Sequence, residues 1–88
     1  VKGAAEQIGD LIALVQSLNL KSATANSLIV KLQAAASALR RGNVNGACGC
    51  LADFISLANA QKAKKQLTTA QADLLIGEAA RIRVVLGC

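Results

Sequence analysis

An all-α protein, folded as a small antiparallel four-helix bundle, is what this sequence predicts, and three observations predict it. Hydrophobic residues make up 53% of the chain, much of that share is alanine, and there is a single aromatic (Phe54) and no proline. Alanine has the highest helix propensity, and small side chains let helices approach closely. Apolar residues recur at spacings of three and four, the period of a helix, and strand signals are nearly absent. The interruptions between these runs are short, about 2 to 6 residues, which favours up-down-up-down helices. The expected helices cover approximately residues 4–18, 22–41, 43–62 and 68–86 of a single domain, 1–88.

In the first helix Ile8, Leu11, Ile12, Val15 and Leu18 share one face. The segment NLKSAT breaks the pattern, and Ser22 or Thr24 is the expected N-cap of the second helix, its hydroxyl accepting from a free helical N–H. Ala25, Leu28, Leu32, Ala35 and Leu39 form the inward face of that helix, Arg40 and Arg41 lie where cations favour a helix C-terminus, and Gly42 ends it. Asn43 is the expected N-cap of the third helix, which turns Val44, Ala47, Cys48, Leu51, Ile55 and Ala58 inward with Phe54 beside that face. Gly46 and Gly49 each cost about 1 kcal/mol relative to alanine inside a helix, so they are expected to make room for a close neighbouring backbone. The run KAKK ends the helix or forms the turn after it. Thr68 and Gln71 match a capping box, Leu75, Ala79, Ile82 and Leu86 carry the face of the fourth helix, and Gly87 closes it. Leu14, Leu20, Ile29 and Leu57 fall off the main stripes and are expected to complete the core rather than to mark a partner face.

A core this small needs reinforcement. The three cysteines are Cys48, Cys50 and Cys88. At 100° per residue Cys48 joins the inward face and Cys50 swings about 200° away, toward solvent. Antiparallel third and fourth helices bring the start of one beside the end of the other, which makes Cys48 with Cys88 the expected disulfide. Cys50 with Cys88, or three reduced thiols in an intracellular protein, are the alternatives. With the first pairing Cys50 is left as a free thiol, available for an intermolecular bond in a homodimer. A metal site usually asks for four ligands from Cys and His, and three cysteines without a histidine supply too few, so no metal and no cofactor are expected. Cys-x-Cys on a helix also lacks the geometry of a Cys-x-x-Cys redox pair.

From about Ala23 to Cys88 the blocks ANSLIVKLQAA, RGNVNGAC with LADFI, and QLTTAQADLLIGEAARIRVVLGC resemble the FIMAH-like domain, a helical module at or near the C-terminus of secreted bacterial multidomain proteins. The resemblance implies a small extracellular domain, appended to hydrolases or adhesion-type modules, without catalysis of its own. It also implies that Cys48 and the terminal LGC are the paired positions. Cys50 stands where a polar residue is more usual, a departure that bears on whether the chain is monomeric.

The function classes narrow accordingly. The chain opens without the pattern of a signal peptide, which reads as a mature product or an excised module of a larger secreted protein, and charged residues interrupt every apolar run long enough to span a bilayer. An enzyme is not expected, because the usual Ser and Cys nucleophiles lack a histidine partner and Asp10, Asp53, Asp73 and Glu78 form no evident pair. The net charge of +5 is spread along the chain rather than gathered in one block, and its small local clusters give two candidate basic patches, Arg40 with Arg41 and Lys62 with Lys64 and Lys65. Their positions at helix C-termini suit the helix dipole, and the lack of aromatic platforms argues against specific nucleic-acid or sugar recognition. The expected role is that of a structural cap, spacer or protein-interaction domain, partnered by other domains of a parent secreted chain or by a separate protein. Charge-driven adhesion to anionic cell-wall or membrane surfaces is the alternative, and nucleic-acid binding the weaker one.

Overall fold

A computed structural model describes residues 3–88. It holds α1 (Ala4–Ser17), α2 (Ser22–Arg40), α3 (Val44–Ala63) and α4 (Thr69–Leu86), and no strand among the described residues. Every boundary falls within one residue of the expected one. The helices pack as a ring, α1 against α2 and α4, and α3 against α2 and α4, in a body of 35 × 22 × 20 Å. The short turns make successive helices antiparallel.

The core runs along the axis of the ring and is built from Ile8, Leu11 and Val15 of α1, Leu28, Leu32 and Ala35 of α2, Leu51, Phe54 and Ala58 of α3, and Ala72, Leu75, Ala79 and Ile82 of α4. Each large member, fully withdrawn from water, stabilises the fold by about 1.5–3 kcal/mol. Phe54 is 0% exposed and central, whereas Val44, expected inward, is 41% exposed, and Ile55 and Cys48 are only half-buried. The core face of α3 is therefore centred on Ala47, Leu51, Phe54 and Ala58. Because each helix touches two neighbours, it also has two flanks that are partly covered. Leu14, Ile29 and Leu57 occupy such flanks, Leu20 lies in the α1–α2 turn, and all four pack against the core, as expected of residues that complete it.

The helix ends divide into two kinds. Asn43 caps α3 by accepting from the Gly46 N–H at 2.9 Å. Thr68 and Gln71 form the full capping box, with Gln71 N–H donating to Thr68 Oγ1 and Thr68 N–H donating to Gln71 Oε1, both at 3.0 Å. Leu67, directly before that box, is 3% exposed and joins the core cluster with Ala72, the arrangement of a hydrophobic staple. By contrast, α1 and α2 have no side-chain cap, and Lys21 rather than Ser22 or Thr24 stands at the N-cap of α2. Ser22 is already helical there, and Thr24 is drawn into the interior at 6% exposure.

All four helices are followed, within two residues, by a residue in the left-handed region: Asn19 (φ 54°), Gly42 (73°), Lys65 (63°) and Gly87 (82°). At Gly42 the Asn43 N–H reaches back to the Ala38 carbonyl at 2.8 Å, and at Gly87 the Cys88 N–H reaches the Arg83 carbonyl at 2.9 Å. Lys65 makes the same closure without glycine, Gln66 N–H donating to Gln61 O at 2.9 Å. A lysine in this conformation carries about 1–2 kcal/mol of steric cost that a glycine would not.

Candidate functional site

The disulfide joins Cys48, in the second turn of α3, to Cys88, directly after the glycine that closes α4, with Cα atoms 6.2 Å apart and a sequence separation of 40. Its place follows from the local chemistry. The Asn43 cap starts α3 at one end of the bundle, and the reversal at Gly87 turns Cys88 back toward α3 at the same end. Cys50 is the free cysteine. It is half-buried and packed against the core, not turned to solvent as expected. With the core face centred between Ala47 and Leu51, Cys48 and Cys50 take opposite flanks of α3: one meets α4 through the disulfide, and the other shares its side with Leu57, which lines the groove against α2.

The glycines beside these cysteines have a different purpose from the one expected. A Cβ on Gly46 would stand 2.5 Å from Asn43 Nδ2, so this glycine admits the capping side chain. A Cβ on Gly49 would meet nothing within 4 Å, so no neighbouring backbone requires a glycine there.

The two basic patches do not meet. Arg40 and Arg41 end α2 at the disulfide end of the bundle, and Arg41 Nη1 lies 3.5 Å from Ser37 Oγ. Lys62, Lys64 and Lys65 end α3 at the opposite end, a helix length of about 30 Å away. There the fold brings in Lys21, which sequence reasoning passed over, because the α1–α2 turn lies at the same end as the α3–α4 turn. The up-down-up-down topology contained that signal. At the disulfide end, Arg83 Nε is buried without a hydrogen-bond partner among the described residues.

Three open grooves mark the surface. One of about 710 Å³ lies between α1 and α2, lined by small residues such as Ala5, Gly9 and Ala36 with Ser37 and Arg40. A second, about 470 Å³, is formed by Asn26, Ser27, Val30 and Lys31 of α2 with Leu57 of α3. The third, about 270 Å³, brings Asp10 of α1 beside Glu78 and Arg81 of α4. Glu78 pairs there with Arg81 at 3.1 Å, an exposed i,i+3 contact stabilising by about 0.3–0.5 kcal/mol. Among the described residues no three His, Cys, Asp or Glu side chains converge as metal ligands, and no helix is long and apolar enough to cross a membrane.

A short helical bundle clamped by one disulfide, with a basic cluster at each end and its grooves open, belongs to the class of small reinforced helical modules. The model of the FIMAH domain matches residues 5–84, and the chain belongs to the FIMAH domain family. That family is non-catalytic in general, which makes a structural or interaction module the class of function. No curated protein and no solved structure matches the chain.

Proposed function

We propose that the chain is a non-catalytic extracellular module of a larger secreted protein, acting there as a structural cap, spacer or protein-interaction domain. The observation that carries this reading is the Cys48–Cys88 disulfide, which has a sequence separation of 40 and clamps the end of α4 to the start of α3. Disulfides persist in oxidising compartments, and a domain too small for a large core gains most from one. Other domains of the parent chain, or a separate protein, are the partners this reading assigns.

Two measurements test it. Chain exported to an oxidising compartment, unfolded without reductant and titrated for thiols, is expected to show one reactive thiol, that of Cys50; three would overturn the secreted reading. In the parent reading frame, deletion of this module is expected to leave the chemistry of the other domains intact. A chemical activity lost on deletion and restored by the isolated chain in trans would overturn the non-catalytic reading.

A further inference from the structure

The end of the bundle opposite the disulfide carries four lysines: Lys21 in the α1–α2 turn, and Lys62, Lys64 and Lys65 at the close of α3. Lys21, Lys64 and Lys65 are exposed and Lys62 is half-buried. None of the four is ion-paired among the described residues, and the two turns contain no carboxylate. Three of these lysines have a local justification, since cations at the C-terminus of α3 oppose its dipole. Lys21 has none. It stands at the N-cap of α2, makes no capping hydrogen bond, and puts a positive charge at the positive end of a helix dipole. It also lies at the same end of the bundle as three other cations, since α2 begins where α3, packed against it, ends. A residue that breaks the capping and dipole rules together, at the one place where it completes a cluster, signals selection for something other than stability.

We propose that this lysine-bearing end is a docking face for a flexible linear polymer with phosphodiester charges along its backbone. The proposal rests on the interaction-module reading and names the partner chemistry and the face. Four ammonium groups on long stems act as point charges, which pair with backbone phosphates without the fixed fork geometry that an arginine imposes. The only aromatic, Phe54, is fully buried, so no platform for stacking bases is offered. The large exposed apolar residues, Val30, Val44, Leu74, Val84 and Val85, all lie outside the two turns, so the face has no wedge for a bilayer. The bundle measures 22 × 20 Å across, so one flexible chain can bend to meet the lysines of both turns.

The test uses the disulfide-intact chain and a glycerol-phosphate polymer of defined length, with binding followed by calorimetry at two salt concentrations. For three to four neutralised phosphates, a tenfold rise in salt is expected to weaken binding about 100- to 600-fold. Lys21→Gln together with Lys64→Gln should remove most of the low-salt affinity and flatten the salt slope, while Arg40→Gln with Arg41→Gln, at the other end, should leave both nearly unchanged. Lys21→Asp should weaken binding yet raise the melting temperature by about 5 °C, because it supplies the missing cap. Equal losses from the two double variants would overturn the assignment to this end. Tighter binding to duplex DNA or to anionic phospholipid vesicles would overturn the choice of partner, and no binding at low salt would overturn the proposal. None of these results changes the thiol count or the deletion phenotype, so failure here is distinguishable from failure of the module reading.

Discussion

Removing the disulfide should cost this domain a large part of its stability, by an amount the topology sets. The bond between Cys48 and Cys88 closes a loop with a sequence separation of 40. In the chain-entropy treatment such a closure withdraws about 13 cal/mol/K from the unfolded ensemble, or about 4 kcal/mol at room temperature. The unfolding entropy of an 88-residue domain is about 0.18 kcal/mol/K near its midpoint, so Cys88→Ala should lower the melting temperature by about 20 °C. A Cys50→Ala background keeps the remaining thiols from pairing with each other. Far-UV circular dichroism during urea and heat denaturation provides the assay. Cys48→Ala and the double variant should lose about as much as Cys88→Ala, since either change alone removes the whole bond. The urea m-value should rise, because the unfolded chain without its crosslink exposes more surface. A loss below about 1 kcal/mol with an unchanged m-value would refute the reasoning, placing the stability in the core and leaving the disulfide incidental.

Further outcomes follow from the helix ends and the core. Lys65→Gly is expected to stabilise the protein by about 1 kcal/mol in urea melts, because it relieves a left-handed lysine at φ 63°; a loss would mean that the lysine stem contributes packing there. Gly49→Ala and Gly77→Ala, whose added Cβ atoms meet nothing within 4 Å, should each gain up to about 1 kcal/mol. Gly46→Ala should gain nothing or lose about 1 kcal/mol, since its Cβ displaces the Asn43 cap, and equal gains at all three positions would contradict that account. Phe54→Ala should cost about 3–5 kcal/mol at the centre of the core, whereas a cost below about 1 kcal/mol would return Phe54 to the margin.

The helices could be read in the sequence because their signals are local: Asn43, the Thr68–Gln71 box, and Gly42 and Gly87 mark ends by chemistry that acts within a turn. The rotation of α3 was harder to read. Its large residues sit on both sides of the core face, Ile55 with Val44 and Cys48 on one, Leu57 with Cys50 on the other, and periodicity favoured the first side. Two packing partners cover both flanks, and that is a property of the ring. Lys65 could not be recognised as a left-handed residue because nothing in its side chain prefers that conformation; burial of Leu67 and the capping box beyond it hold the turn. Of the candidate basic site, the run Lys62, Lys64 and Lys65 was visible, but its separation from Arg40 and Arg41 and its union with Lys21 are consequences of topology.

The same inventory of ends makes stability uneven along the chain. The hairpin of α3 and α4 has a side-chain cap at each N-terminus, a stapling Leu67 in its turn, and a disulfide tying its open end, whereas α1 and α2 have neither a side-chain cap nor a crosslink. Each missing cap is worth about 1 kcal/mol, and a crosslinked hairpin keeps its two helices near each other even while they are open. Opening should therefore begin with α1 and reach α3 and α4 last, although Ile8, Leu11 and Val15 are as deeply buried as their counterparts in α4. Native-state hydrogen exchange can resolve this, with the amides around Leu11 expected to exchange at least tenfold faster than those around Leu75. Reduction of the disulfide should narrow the gap by accelerating α4 more than α1. Equal protection of the two helices in the oxidised protein would show that the ring opens as a single unit, and that burial outweighs the difference in caps and crosslink.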